Sequence, residues 1–292
     1  MRAGVVDGPG KIVVREVGEP VVGDYDCLCD ILYCSTCSGT DLHMLYGEAM
    51  PFEYGFPTML GHEAIGRVAE VGRKVENFKV GDVVTRMFNR PAEGVESNWR
   101  GFAERGLITD YESQRRGDAA GESEEGSGPK ILPENSYTAH RILPGGFDTA
   151  GATMIITWRE TLSFFRRIGV AAGAKVLVAG SGGNGLAFAN HAVNMGASRV
   201  VMTGGAGRSE AAYKVGVSDY LRYDMENVAD AAVELGLDDF DLIIDAVGRI
   251  GLLNSLLGLL KVGGVVTTYG VDDFGRISID PECARGTFTY AN

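Results

Sequence analysis

Cysteine and basic charge are both scarce in this chain. Its five cysteines are Cys27, Cys29, Cys34, Cys37 and Cys283, an odd number with four crowded into one short segment. That is not the pattern of a disulfide framework; reduced thiols, one or two of them functional, are expected. Lys and Arg together number 27 against 39 Asp and Glu, a formal net charge of −12. Such a balance argues against nucleic acid or an anionic membrane as partner. No stretch of membrane-spanning length is free of charge or glycine breaks, and the longest apolar candidate, 250–260, is too short to span. The segment Met1–Asp7 has no apolar run of the kind a signal peptide carries. A cytoplasmic protein is the expectation. No internal repeat is visible.

What is present is enough for about two domains: 292 residues, 45% of them hydrophobic. Residues 1–146 read as β-rich. Strands are expected over 12–17, 27–33, 64–71 and 82–86, short segments punctuated by glycine turns that suggest a barrel-like domain. The stretch 110–130 has no apolar periodicity and contains the acidic, glycine-rich run Gly117–Gly128, read as an exposed loop with a functional lid as the alternative. Residues 147–292 alternate between strands (175–179, 199–203, 219–222, 241–245, 265–269) and helices (184–195, 209–215, 228–235, 251–260). Near-continuous apolar strands between amphipathic helices predict an α/β unit with a parallel sheet covered on both faces.

The first strand of that unit, Lys175–Ala179, runs into Gly180-Ser181-Gly182-Gly183-Asn184-Gly185, where a helix starts. A glycine-rich turn in this setting fits a dinucleotide: Gly180, Gly182, Gly183 and Gly185, with Asn184, allow a tight turn, close approach of the pyrophosphate and helix–strand contact. The helix N-terminus favours the phosphate charge. The second strand ends in Thr203-Gly204-Gly205-Ala206-Gly207-Arg208-Ser209. It lacks the acid that bonds the ribose hydroxyls of NAD, and Arg208 can pair with a 2′-phosphate or lie on the surface. NADP is the expected cofactor, with NAD the alternative. Gly204, Val247 and Tyr269 fall at carboxyl ends of strands, the ligand-binding edge of an open α/β sheet, where their backbone groups are expected to meet the cofactor.

Upstream lie Cys34-Ser35-Thr36-Cys37-Ser38-Gly39-Thr40-Asp41-Leu42-His43 and Gly61-His62-Glu63-Ala64-Ile65-Gly66. They offer a thiolate and an imidazole, ligands that Zn²⁺ prefers. Cys34 rivals Cys37 for the thiolate role, and each of these residues can also be read as packing only. In order and spacing, these motifs resemble the medium-chain, zinc-containing alcohol dehydrogenases of the polyol and sugar branch. Gly72, Val75, Gly81-Asp82-Val83-Val84 and Gly101-Phe102-Ala103-Glu104 extend the likeness over nearly the whole chain. The resemblance implies a GroES-like β-rich catalytic domain (1–146) joined to a Rossmann dinucleotide-binding domain (147–292). It implies Cys37 and His62 as ligands of one catalytic zinc, with Glu63 as a carboxylate near the metal. Asp41 would orient the histidine ligand. Thr40 would take the substrate hydroxyl proton and His43 would pass it toward solvent by way of the cofactor ribose.

Three departures from the family pattern bear on these expectations. The spacing from Cys37 to Thr40-Asp41 is one residue longer than the commonest form. The third ligand position falls at Thr157, a poor zinc ligand, with Glu160 turned elsewhere on the helix, so Glu63 is expected to complete the set. The four-cysteine lobe of a structural zinc site is absent, since no cysteine lies between Cys37 and Cys283. The strand Gly286–Tyr290 reads as the last of the Rossmann sheet, so the family's usual C-terminal closure onto the β domain is expected to be missing from this sequence, either because the chain continues beyond it or because the protein lacks that closure. The activity implied is interconversion of a secondary alcohol, sugar or polyol hydroxyl with its carbonyl, with hydride passing to or from NAD(P). The alternatives are a zinc-free reductase of a quinone or activated alkene, and a non-catalytic dinucleotide-binding protein. Partners are a small-molecule alcohol, sugar or polyol and, through the edge strand, further copies of the chain as a homodimer or homotetramer.

Overall fold

The computed structural model describes residues 1–37, 39–48, 54–87, 95, 101–119, 140–169, 171–223 and 227–291. They form two compact units, Met1–Ile156 and Thr157–Asn292.

The first unit is built on β1 (Arg2–Gly8), β2 (Lys11–Glu16), β3 (Asp26–Ser35), α1 (Thr40–Tyr46), β4 (Thr58–Met59), β5 (Glu63–Val71), β6 (Val83–Thr85), β7 (Arg105–Thr109) and α2 (Tyr111–Ala119). Two antiparallel sheets result, one in the order β2-β1-β4 and one in the order β6-β5-β3-β7. Alternation drives the pairing: Cys27 and Cys29 of β3 point inward to Ala64, Val68, Val84, Met87 and Ile108. Both thiols are therefore core groups, and burial pushes each of them up in pKa. The β3–β5 register runs from Cys27↔Val71 to Ser35↔Glu63. It sets the segment after Ser35 beside the residues just before Glu63, and so assembles the site described below.

The helix α2 departs from the sequence expectation of a loop beginning at residue 110. Its start is capped by Asp110, which accepts from the Ser113 N–H (3.1 Å) and Ser113 Oγ (2.8 Å). The same carboxylate also accepts from the backbone of Glu76 and Asn77 and from Asn77 Nδ2, each at 2.9 Å. Burial pushes this carboxyl up, but those hydrogen bonds outweigh it and hold it below the usual carboxylate range. The remainder of the acidic run, from residue 120 on, lies outside the described residues.

The second unit contains α3 (Ile155–Ile168, beginning two residues before the boundary), β8 (Lys175–Ala179), α4 (Gly183–Asn194), β9 (Arg199–Gly204), α5 (Ser209–Lys214), β10 (Asp219–Arg222), α6 (Val228–Glu234), β11 (Phe240–Asp245), α7 (Leu252–Leu256), β12 (Leu260–Thr268) and β13 (Thr289–Ala291). Every strand pair in this sheet is parallel, and the order is β10-β9-β8-β11-β12-β13. That is the doubly wound Rossmann order, whose switch point lies between β8 and β11. Apolar clusters cover both faces, one around Phe165, Phe188 and Met202, the other around Phe240, Leu253 and Leu256. One expectation is corrected here: the helix over 251–260 is confined to Leu252–Leu256, followed by a 3-10 turn to Leu259. Leu260 instead opens β12, because it pairs with Phe240.

Candidate metal centre and dinucleotide turn

At the paired ends of β3 and β5, one donor atom from each of Cys37, His62 and Glu63 lies within 4.8 Å of the others. A sulfur, an imidazole nitrogen and a carboxylate oxygen at that separation are a donor set suited to Zn²⁺. His62 and Glu63 are buried and Cys37 is half-buried. Asp41, in the first turn of α1, ties the loops together. It accepts from the Cys37 N–H (2.8 Å) and the Gly61 N–H (3.3 Å), and its Oδ1 lies 3.6 Å from His62 Nδ1, an ion-pair distance. Thr40 Oγ1 is 3.8 Å from Cys37 Sγ. His43 is buried, and its Nδ1 lies 2.8 Å from Glu48 Oε2. Glu48 has no signature in the sequence beyond its place at the end of α1.

Cys34 takes a different part. It donates to its neighbour's carbonyl, Ser35 O, at 3.5 Å, and a Cβ added at Gly61 would stand 2.8 Å from its sulfur. Burial, with the charges of Asp41 and Glu63, pushes its thiol up to about 12. It serves as packing beneath Gly61 and Gly101, both of which must be glycine for the chain to pass its sulfur.

Burial works against the imidazolium of His62, but Asp41 and Cys37 outweigh it and raise His62 to about 10. A pKa raised above the ordinary imidazole value of 6.5 means that the His62–Asp41 attraction stabilises the apoprotein fully below pH 6.5 and is lost as pH rises through about 10. Zinc competes with that proton, so affinity runs the opposite way and increases with pH. Calorimetry of zinc binding at pH 8, in two buffers of different ionisation enthalpy, is expected to show a proton released from His62 for each ion bound. A further expectation is that Asp41→Asn weakens zinc binding about 10- to 100-fold, read by competition with a chromophoric chelator.

In the second unit, the turn after β8 bears the glycines singled out in the sequence. Gly180 has φ +106°, a left-handed conformation that favours glycine. Gly182 precedes the first residue of α4, and a Cβ at Gly185 would overlap the carbonyl oxygen of Gly180. Asn184 lies in the first turn of α4. Gly204 ends β9 and is buried, while Arg208 ends an exposed 3-10 turn. Val247 follows β11, and Tyr269 follows β12 with its ring held edge-on between Phe164 and Phe188, 5.0 Å from each. Asp245 ends β11, at the ligand-binding edge of the sheet, where the sequence assigns its side chain no role. It is fully buried, accepts from the N–H groups of Val247 (2.9 Å) and Gly248 (2.8 Å), and through its carbonyl accepts from those of Tyr269 and Gly270. It fastens the two turns beyond β11 and β12 to each other. Thr157, where the family's third ligand position falls, is buried on α3, and its carbonyl accepts from Thr161 Oγ1 at 2.7 Å. No helix among the described residues is long and apolar enough to cross a membrane.

Comparison with known proteins gives these two constellations a common setting. Residues 3–111 match the family model of the alcohol dehydrogenase GroES-like domain, and residues 183–283 match that of zinc-binding dehydrogenases. D-arabinitol dehydrogenase 1 of Uromyces fabae is 27% identical over 96% of this chain and 78% of its own length. The NADP-dependent isopropanol dehydrogenase of Clostridium beijerinckii is 26% identical, with the same coverage of both chains. In fold, the chain is similar to 2R,3R-butanediol dehydrogenase of Bacillus subtilis, with a TM-score of 0.75 at 18% identity over 100% of this chain and 84% of that one. The chain belongs to the zinc-containing medium-chain alcohol dehydrogenases, NAD(P)-dependent oxidoreductases that interconvert hydroxyl and carbonyl groups of small alcohols and polyols.

Proposed function

We propose that this chain is a cytoplasmic dehydrogenase that oxidises a sugar or polyol hydroxyl, or reduces the matching carbonyl, with NADP(H) preferred over NAD(H). One observation carries the reading: the convergence of Cys37, His62 and Glu63 within 4.8 Å, with the Thr40 hydroxyl beside the cysteine sulfur. These three residues would hold the zinc ion. The bound ion supplies Lewis acidity at the substrate's C–O group, and the coenzyme supplies the hydride acceptor or donor. Thr40 orients the substrate hydroxyl and holds its proton. Asp41 fixes the imidazole of His62. His43 takes the proton onward, and Glu48, half exposed at 2.8 Å from it, supports a route that ends in water. The catalytic unit lies within 1–146 and the coenzyme unit within 147–292, with Gly180, Gly182, Gly183, Asn184, Gly185, Gly204, Arg208, Val247 and Tyr269 contributing to the coenzyme site. The carboxyl end of β9, which closes on Gly204 and carries no acid, supports NADP. Copies of the chain pair through the edge strand β13 as a homodimer or homotetramer, which light scattering tests.

The deciding experiment is elemental analysis of the purified protein together with NADP⁺ reduction and NADPH oxidation on a polyol and sugar panel. About one zinc per chain, with activity lost on chelation and restored by Zn²⁺, is expected. Full activity after exhaustive chelation would overturn the zinc assignment and leave a zinc-free reductase.

A further inference from the structure

The end of β9 is sealed by two hydroxyl groups whose presence the glycine-rich turn does not require. Gly204 is buried and its φ lies outside the left-handed region, so its backbone conformation does not call for glycine. The reason for glycine is steric. A Cβ there would overlap Ser181 Oγ and Tyr220 Oη, and would stand 2.6 Å from Ser181 Cβ. Tyr220 comes from β10, where it is in register with Met202. Its hydroxyl donates to the carbonyl of Gly205 (2.7 Å) and lies 3.0 Å from Ser181 Oγ. The three groups form a chain of hydrogen bonds. It ties the turn after β8 to the turn after β9.

In a sheet of this order, the second strand's end faces the adenosine ribose. A carboxylate placed there, about 20 residues beyond the glycine turn, bonds the ribose hydroxyls of NAD and repels a 2′-phosphate. Here the space such a side chain needs is already filled. We propose that Tyr220, together with Ser181, determines the coenzyme class: the two hydroxyls exclude an acid from position 204 and hold the Gly205 turn for a 2′-phosphorylated dinucleotide. The inference rests on the coenzyme reading above and goes beyond it by assigning the selectivity to two residues.

Position 205 makes a useful contrast. Gly205 has φ −76° and ψ 161°, an extended conformation open to any residue, and a Cβ there meets Tyr223 Oη at 3.4 Å, an ordinary contact. The block is therefore specific to 204.

The test uses full-length protein and measures dissociation constants for NADPH and NADH by nucleotide fluorescence. Wild type is expected to bind NADPH at least about 10-fold more tightly than NADH. Tyr220→Phe removes one hydroxyl and keeps the ring. It is expected to weaken NADPH binding about 5- to 10-fold, the effect of one hydrogen bond, with NADH changed less than about 2-fold. Gly204→Asp alone is expected to gain no NADH affinity, whereas Ser181→Gly, Gly204→Asp and Tyr220→Phe combined invert the preference. Three results overturn the proposal: a wild type that prefers NADH, a single Gly204→Asp that inverts the preference, or a Tyr220→Phe that leaves the NADPH-to-NADH ratio where it was. The last two strike the role of Tyr220 and Ser181 alone. A wild type that binds neither nucleotide overturns the coenzyme reading as well. Should Gly204→Asp fail to fold, Tyr220→Phe still decides.

Discussion

Replacing His62 by alanine is expected to remove zinc from the purified protein and to lower kcat/KM by at least about 10³-fold, some 4 kcal/mol of transition-state stabilisation. His62 supplies one of three donors that meet within 4.8 Å, and it is the buried group on which Asp41 acts. Cys37→Ala is expected to do the same by removing the sulfur. The neighbouring thiol gives the control. Cys34 shares the segment but packs beneath Gly61 and Gly101, so Cys34→Ala is expected to keep its zinc and lose on the order of 1 kcal/mol of stability from the small cavity. Zinc content by elemental analysis, with unfolding curves, separates the three variants. A His62→Ala protein that retains one zinc per chain and ordinary turnover would sink the assignment of the metal centre.

The second large effect belongs to Gly185. A methyl group there would collide with the carbonyl oxygen of Gly180, a backbone atom that no rotamer change can move aside. Gly185→Ala must therefore displace either the glycine turn or the start of α4. The expected destabilisation is about 3 kcal/mol, the upper end for overpacking, with coenzyme affinity reduced more than about 100-fold through the distorted turn. Gly182 makes the comparison informative, because its φ is −72° and a Cβ there meets nothing within 4 Å. Gly182→Ala is expected to leave the unfolding midpoint nearly unchanged and still weaken coenzyme binding, since the methyl stands where the pyrophosphate backbone must approach. Equal melting and equal nucleotide affinity in both variants and wild type would show that the turn holds no dinucleotide.

How far the sequence could be read depended on how local each determinant is. The strands β8, β9, β10 and β11 show as short apolar runs because both faces of the sheet are covered, and their bounds fall within a residue of those expected. Cys37, His62 and Glu63 stand out as candidates because they sit in two compact motifs; the β3–β5 register that brings the motifs together does not show in the sequence, being a long-range pairing. The helix α2 does not show in the sequence because it is polar and lacks an apolar periodicity. Its signal was Asp110, whose partners at 76 and 77 are more than thirty residues away. The end of the helix expected over 251–260 was missed for a similar reason, since an apolar run suits a buried strand as well as a helix and Leu260 is claimed by Phe240. Tyr220 and Asp245 carry no side-chain signal in the sequence, since each gains its role from a neighbour supplied by another element, Ser181 for the first and the turn after β12 for the second.

The central position of β8 has a consequence for synthesis. Its first neighbour, β9, follows about twenty residues later, but its second, β11, begins only at Phe240. At translation rates of 5–20 residues per second, roughly 3–12 s separate the end of β8 from the start of β11. Over that interval the strand leading into the glycine turn has one edge still unpaired, and ligand cannot yet rescue it. Slowing elongation between codons 180 and 240 is therefore expected to raise aggregation of nascent chains, whereas the same delay placed after codon 245 is not.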